Sequence, residues 1–182
     1  MELAAEDIRR ARAGDRAAQQ RFVEAYQARV FAVCAALAPG HAEDLAQEAL
    51  LRALLSLRRF DVNGPARLGT FVLRIARNLC IDQLRSAKRR GPHDADVDQL
   101  AGSEPADHHL AAARDADRVR SAVLALPADQ RAVVVLRMWG ELDYAEIASI
   151  EGVPVGTIRS RLSRARDALR ELLAITEVAH AG

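Results

Sequence analysis

The chain has 182 residues, of which 50% are hydrophobic and only 4% aromatic, and its formal net charge is +1. A chain of this length forms one large domain or two small ones, each with a modest core. It has no run of eighteen apolar residues for a membrane span, no zinc-type spacing and no nucleotide-binding glycine motif. We therefore expect a cytoplasmic protein with no membrane insertion, cofactor, metal site or catalytic residues.

Four helices are predicted in the first half of the chain, where no convincing alternation of apolar and polar residues indicates a strand. Turn-forming residues separate these helices: Gly14 and Asp15, Pro39 and Gly40, and the loop 61–65. The predicted helices span about 5–13, 16–38, 42–59 and 68–88. This pattern indicates an all-α fold.

An acidic segment follows the fourth helix. Residues 91–105 contain two glycines, two prolines and four acidic residues, but no lysine or arginine. Such a composition is typical of an extended tether rather than packed structure. We therefore expect two small helical domains, 1–90 and 106–182, joined by a flexible acidic linker, 91–105.

The second domain is predicted to end in a helix-turn-helix. Its first helices should span about 106–126 and 129–139, and residues 143–173 then contain a short helix, a tight turn and a longer helix. Ala148 allows two helices to approach closely, Gly152 can adopt the positive φ of the turn, and Ile158 packs between the helices. This spacing favours a DNA-binding unit over a merely solvated basic helix.

The long helix has an apolar stripe and an opposite polar face. At 100° per residue the stripe contains six residues: Val155, Ile158, Leu162, Ala165, Leu169 and Leu172. Ser160, Ser163 and Arg164 project away from it, with Arg159 and Arg161 at its borders. Hydroxyl and guanidinium groups on such a face suit contacts to base edges and phosphates.

The two cysteines, Cys34 and Cys80, each lie among apolar residues of predicted helices. Two buried thiols are therefore favoured over a disulfide.

Three stretches taken together resemble a bacterial RNA polymerase sigma factor of the extracytoplasmic-function (ECF) group. Residues 42–53 (AEDLAQEALLRA) resemble the polymerase-binding helix, and residues 73–78 (LRIARN) resemble the promoter-melting helix. Residues 126–166, which include GTIRSRL, resemble the fourth sigma domain. The resemblance implies the second and fourth sigma domains, joined by a linker.

The resemblance also implies where the partners bind. The helix from residue 42 would dock on the β′ clamp helices of core RNA polymerase, with the β subunit as a further partner. Its binding residues would be Asp44, Gln47, Glu48 and Leu51, which share one side of the helix. The acidic residues also suit the helix N-terminus for local reasons, because they complement its dipole.

Promoter DNA would contact both domains. A pocket for one unstacked base of the −10 element would be formed by Arg52, Ser56, Phe60 and Asn78. For Phe60 a position in the hydrophobic core is an equally favoured alternative, and Asn78 could instead cap or bridge helices. The −35 element would be read by Thr157, Arg159, Ser160, Arg161, Ser163 and Arg164, although Arg161 is also suited to phosphates or simple solvation, and Thr157 to capping its helix.

The sequence thus indicates an alternative sigma factor that binds core polymerase, recognises −35 and −10 elements and directs transcription initiation. An anti-sigma factor is a further partner implied by the resemblance. Two other functions remain open: a sigma-mimicking regulator that binds an anti-sigma factor, and a helix-turn-helix regulator that binds DNA without polymerase. Relatives of the first type carry a receiver domain for which this chain has no room, and the second leaves the helix with Asp44 unexplained.

Overall fold

The computed structural model describes residues 3–64, 66–90 and 107–180, and this part of the chain is helical and has no strands. The predicted linker, 91–105, lies outside the described residues, as does Ala106. Short 3-10 turns at Pro39–His41 and Leu57–Arg59 flank the third helix. The helices are α1 (Ala5–Arg12), α2 (Arg16–Leu37), α3 (Ala42–Ser56), α4 (Leu68–Arg90), α5 (Asp107–Ala125), α6 (Ala128–Met138), α7 (Tyr144–Glu151) and α8 (Val155–His180).

Most predicted helix boundaries agree with these to within a few residues. The largest difference is at the end of α8, which continues to His180, well past residue 173, where the predicted helix ended. A smaller difference is at the end of α3, which was expected to continue to Arg59. Instead the last three residues tighten into a 3-10 turn before Phe60, where the backbone becomes extended. The predicted cap of α2 is present, since the Asp15 side chain accepts a hydrogen bond from the backbone N–H of Ala18 at 3.0 Å.

The first helical unit consists of α1 to α4, in which α2, α3 and α4 pack against one another. Helix α3 turns four small side chains inward, so its backbone can approach α2 and α4 closely. They are Ala42, Ala46, Ala49 and Ala53, and all four are buried. The larger core side chains come mainly from α2, among them Phe22 and Tyr26, whose ring centroids are 5.3 Å apart.

Cys34 on α2 and Cys80 on α4 are both free and fully buried, as expected. A hydrogen bond between the two thiols, followed by burial, raises the pKa of Cys34 above its ordinary value. Both thiols are therefore inaccessible parts of the core in the folded chain.

The second helical unit consists of α5 to α8, with α8 packed against the other three. A tight loop between α6 and α7 sets the angle between these helices. There Gly140 lies so close to the Leu136 carbonyl oxygen that an added Cβ would be only 2.5 Å from it. The next residue, Glu141, has a positive φ of 56°, which side-chain-bearing residues adopt only rarely.

The two units pack on each other, because α2 contacts α5 and α6, and α4 contacts α7. Their buried apolar side chains form one continuous cluster from Ile8 to Ala165. The sequence predicted a core in each unit but gave no sign that the two cores would be contiguous. Among the described residues, no helix is both long and apolar enough to cross a membrane, and no group of side chains is arranged to hold a metal ion.

Candidate nucleic-acid and polymerase interfaces

The helix-turn-helix has the predicted geometry. Gly152 ends α7 with a φ of +66°, and its N–H donates to the Ala148 carbonyl at 2.9 Å. Ala148 and Ile158 are both buried where α7 meets α8. The left-handed conformation is one that glycine adopts without a steric cost, so this residue allows α8 to leave α7 at a sharp angle.

The N-terminus of α7 carries a capping box that the sequence analysis did not identify. The Asp143 side chain accepts from the Glu146 N–H at 2.8 Å, and the Glu146 side chain accepts from the Asp143 N–H at 2.9 Å. An acid three residues after an Asp cap is a recognisable sequence signal for this motif. The box fixes where the first helix of the helix-turn-helix begins.

The outer face of α8 presents the predicted DNA-reading side chains. Arg159, Ser160, Ser163 and Arg164 are exposed, while Ile158, Leu162 and Ala165 of the opposite stripe are buried. The other three stripe residues, Val155, Leu169 and Leu172, are partly buried against the same core. The prediction of an apolar stripe opposite a polar face is thus confirmed.

The polar groups of this face bond within their own helix. The Ser160 hydroxyl donates to the Thr157 carbonyl at 2.9 Å, and Arg164 Nε donates to the Ser160 carbonyl at 3.3 Å. Such contacts within a helix are easily exchanged for contacts to DNA, because they hold no other part of the fold.

Arg161 differs from its neighbours. Its side chain is only 19% exposed, and its Nε lies 3.1 Å from Asp129 Oδ2 on α6. Its Nη1 lies 4.0 Å from Glu151 Oε2 at the end of α7. This arginine was expected at the border of the reading face, and the structure places it in an ion-pair network.

A shallow cleft of about 400 Å³ adjoins the start of α8, lined by residues that include Arg137, Tyr144 and Arg159. The Arg137 guanidinium lies over the Tyr144 ring, 5.6 Å from its centroid, and donates to the Leu142 carbonyl at 2.8 Å. The sequence analysis did not predict that Arg137 and Tyr144 would line a cleft beside α8. Two arginines at one cleft beside the reading helix suit a phosphate of the DNA backbone.

Three of the four residues predicted to bind the −10 element lie around one cleft. Arg52, Ser56 and Asn78 line a space of about 370 Å³ between α3 and α4, together with Leu55, Ile75, Leu79 and Asp82. Asn78 is exposed and accepts a hydrogen bond from Arg77 Nη1 at 3.2 Å. Amide, hydroxyl and guanidinium groups beside apolar side chains are a suitable lining for an unstacked base.

Phe60 is not among the residues that line this cleft. It is 8% exposed, and its ring centroid lies 5.3 Å from that of Phe71. Its backbone carbonyl also accepts a hydrogen bond from Arg12. The structure thus places Phe60 in the core, which is the alternative that the sequence left open.

The outer side of α3 is a polar face with an exposed apolar border. Asp44 and Gln47 are exposed, Glu48 is half-buried, and Leu51 is 52% exposed. Glu48 Oε1 lies 2.5 Å from Arg52 Nε one turn later. An ion pair therefore joins the face predicted to bind polymerase to the cleft predicted to bind the −10 element.

Comparison with known proteins identifies the family. The Sigma-70 region 2 model matches residues 22–90, and the Sigma-70, region 4 model matches residues 116–169. The chain is 33% identical over 181 residues to the ECF RNA polymerase sigma factor SigW of Bacillus subtilis, covering 91% of this chain and 94% of SigW. It belongs to the ECF group of the sigma-70 family.

Other relatives agree with this assignment. ECF RNA polymerase sigma factor SigC of Mycobacterium tuberculosis is 37% identical over 157 residues, covering 86% of this sigma factor and 83% of SigC. The structure of RpoE from Bartonella quintana in complex with the anti-sigma factor NepR matches with a TM-score of 0.68 and 27% identity, covering 86% and 96% of the two chains. CnrH in complex with the cytosolic domain of CnrY shares the fold, with a TM-score of 0.71 at 21% identity, over 94% and 97%.

The sequence analysis did not identify the residues that join the two units of this sigma factor. Arg77 on α4 donates two hydrogen bonds to Glu151 on α7, from Nε at 2.8 Å and from Nη2 at 2.7 Å. The buried Thr70 hydroxyl donates to Glu146 Oε1 at 2.7 Å. These partners are more than 70 positions apart, and no local sequence signal connects them.

Proposed function

We propose that this ECF sigma factor divides promoter recognition between its two helical units. As a sigma factor it binds core RNA polymerase and promoter DNA and directs transcription initiation. In our proposal the unit 1–90 binds core polymerase and the −10 element, 91–105 links the units, and the unit 106–182 reads the −35 element. Catalysis belongs to the polymerase, and the sigma factor acts in the cytoplasm.

The observation that carries the −35 assignment is the exposed face of α8. Arg159, Ser160, Ser163 and Arg164 are exposed on the side of α8 opposite its buried stripe, and α8 follows α7 after the glycine turn at Gly152. An α-helix fits the major groove of B-form DNA, where an arginine can bond both acceptors of a guanine. Thr157, near the N-terminus of α8, and Arg161 complete the proposed set.

The −10 assignment is supported by the cleft between α3 and α4. Arg52, Ser56 and Asn78 supply a cation, a hydroxyl and an amide around a space of about 370 Å³. Because Phe60 is buried, the apolar surface for a captured base would come from Leu55, Ile75 and Leu79 instead. Aliphatic side chains give weaker stacking than an aromatic ring, so this pocket would depend more on hydrogen bonds.

Core polymerase would bind the outer face of α3 through Asp44, Gln47, Glu48 and Leu51. Exposed Leu51 and Leu55 lie beside carboxylates on this helix, which is the arrangement of an amphipathic helix that docks on a partner. The β′ clamp helices are the proposed docking site, and the β subunit is a further contact. An anti-sigma factor is also proposed, because RpoE, a relative of similar fold, has been solved with one.

Run-off transcription with purified core polymerase would test this function. Promoter fragments from the source genome should give new transcripts only when the sigma factor is added, with start sites at a fixed distance from a shared two-part motif. Arg159→Ala should reduce these transcripts strongly, whereas Arg170→Ala, further along the same helix, should reduce them only slightly. Binding of DNA without polymerase and without new transcripts would favour a stand-alone regulator, and binding of neither DNA nor core would favour a sigma mimic.

A further inference from the structure

Arg161 joins the three helices of the helix-turn-helix region at one point. Its Nε lies 3.1 Å from Asp129 Oδ2, in the first turn of α6, and its Nη1 lies 4.0 Å from Glu151 Oε2, at the end of α7. The Arg161 side chain is 19% exposed, and that of Glu151 is only 4% exposed. Because the donors of a guanidinium have a fixed planar arrangement, two carboxylates on different helices restrict both its position and its orientation.

The neighbouring arginines on the outer face of α8 have no such contacts. Arg164 bonds to a carbonyl of its own helix, and among the described residues neither Arg159 nor Arg164 forms an ion pair with another helix. Both are exposed, so both are available to DNA. Arg161 is held by two acids and is not available in this way.

Base reading requires a defined rotation of α8 about its own axis. Side chains extend about 5–6 Å from the axis of a helix, so a rotation of about 10° moves the end of a side chain by about 1 Å. The donor–acceptor distance of a good hydrogen bond varies by only about 0.5 Å. Hydrophobic attraction of the buried stripe is non-directional and restricts this rotation less sharply than an ion pair of defined geometry. A directional contact at the border of the stripe therefore improves the aim of the reading face.

The two acids differ in how far their own helices account for them. A negative charge at a helix C-terminus opposes the helix dipole, so Glu151 is unfavourable locally and its favourable contacts are with Arg161 and with Arg77 of the first unit. Asp129 lies in the favourable first turn of α6, and Arg161 is its only described ion-pair partner. Asp129 is therefore the residue through which the contact with Arg161 can be tested separately.

We propose that Arg161 is a positioning residue, which Asp129 and Glu151 hold so that α8 presents Arg159 and Arg164 to the −35 element in a fixed orientation. It supports base reading without itself contacting DNA. This role rests on the proposed function, which assigns the outer face of α8 to the −35 element. It also gives Asp129, an acidic residue on another helix, a part in DNA recognition.

Fluorescence anisotropy of the full chain on a −35 duplex, taken from the motif found by run-off transcription, would test the part of Asp129. Asp129→Asn removes a negative charge, which by electrostatics alone would strengthen binding to DNA. We expect the opposite, binding about threefold weaker, because a partly exposed ion pair makes a modest contribution. The matched control is Asp167→Asn on α8, which removes the same charge from an exposed pair with Arg170 and should bind slightly more tightly. Unchanged or tighter binding by Asp129→Asn would overturn the proposal.

Substitution of Arg161 distinguishes positioning from a phosphate contact. Arg161→Met should weaken binding about tenfold, because it leaves Asp129 and a buried Glu151 without this partner. The salt dependence should stay unchanged, whereas loss of a phosphate contact would reduce the slope of log K against log salt by about 0.9. Arg161→Lys keeps the charge but not the planar fork, and should lose nearly as much affinity as Arg161→Met. A reduced slope, or full affinity in Arg161→Lys, would overturn the proposal.

A double-mutant cycle shows whether Asp129 acts through Arg161. In the Arg161→Met background, Asp129→Asn should no longer weaken binding and should strengthen it slightly, as Asp167→Asn does. A loss as large as in the wild-type background would mean that Asp129 acts by another route. Urea unfolding of the same variants without DNA should show non-additive losses of stability. Reduced stability with unchanged affinity of the folded variants would indicate a merely structural contact and would overturn the positioning role.

Two outcomes separate this role from the proposed function. If the wild-type chain bound no −35 duplex, the assignment of α8 would fail and the positioning role would fail with it. If the wild-type chain discriminated between duplexes and Arg159→Ala lost that discrimination, but Asp129→Asn bound normally, only the positioning role would fail. Should Arg161→Met not fold, Asp129→Asn and Arg161→Lys still decide the question.

Discussion

The two surfaces assigned to DNA differ in what already contacts them. On α8, Ser160 and Arg164 bond to backbone carbonyls of their own helix, and the reading face is exposed. In the cleft between α3 and α4, Arg52 is paired with Glu48 and Asn78 accepts from Arg77. The first surface is ready to bind as it stands, whereas the second must exchange side-chain partners. We expect substitutions on α8 to affect binding directly and those around the cleft to act through coupled contacts.

The largest effect is expected at Phe60, and it distinguishes a residue of the core from a residue of the −10 cleft. Phe60→Ala should lower the free energy of unfolding by about 3–5 kcal/mol, because it leaves a cavity beside Phe71. Urea unfolding of the full chain would measure this change, and Leu55→Ala, at a residue 69% exposed, is the control with a far smaller expected loss. If Phe60→Ala kept full stability and lost binding to −10 single strands, Phe60 would belong to the base pocket after all.

The next largest effect is expected on DNA binding by the exposed face of α8. Arg159→Ala and Arg164→Ala should each weaken binding to a −35 duplex by about 1–3 kcal/mol and relax discrimination at one base pair. Fluorescence anisotropy with duplexes substituted at single positions would show both changes. Arg170→Ala on the same helix should reduce affinity slightly and equally for all sequences, as expected for a charge that reads no base. Equal losses on all duplexes for Arg159→Ala would contradict a reading role.

A smaller effect is expected in the cleft. Asn78→Ala should weaken binding of a single-stranded −10 oligonucleotide by about 1 kcal/mol, the typical net value of one hydrogen bond. Asp82→Asn, in the same cleft, should strengthen binding, because it removes a negative charge that repels the DNA backbone. A loss of affinity on Asp82→Asn would mean that its carboxylate accepts a hydrogen bond from the base.

The smallest effect is expected where the polymerase face meets the cleft. Glu48→Gln breaks a surface ion pair, and so should change the free energy of unfolding by less than about 1 kcal/mol. It should weaken binding to core polymerase and free Arg52 to bind a −10 oligonucleotide slightly better. Glu43→Gln, exposed near the start of the same helix, is the control. If Glu48→Gln weakened binding to both core polymerase and the −10 oligonucleotide, or strengthened both, the two surfaces would not be coupled through this ion pair.

Sequence reasoning predicted most of the features that depend on residues close together in the chain. The helix-turn-helix followed from Ala148, Gly152 and Ile158, because the steric demands of a tight turn act over a few residues. The capping box at Asp143 was also readable in this way, although it was not identified. The Arg77 to Glu151 pair could not be predicted, since it requires α4 and α7 to pack together. Phe60 illustrates a second limit, because an aromatic residue at a helix end suits both a core and a binding pocket.

The continuous apolar core also makes the packing of the two units depend on temperature. Separation of the units would uncover side chains of α2 that now pack near α5 and α6, and newly exposed apolar surface increases the heat capacity. The attraction between apolar surfaces weakens on cooling. Cooling therefore removes part of the stability of this packed arrangement, and the fraction of chains with separated units should rise in the cold even when no ligand is present.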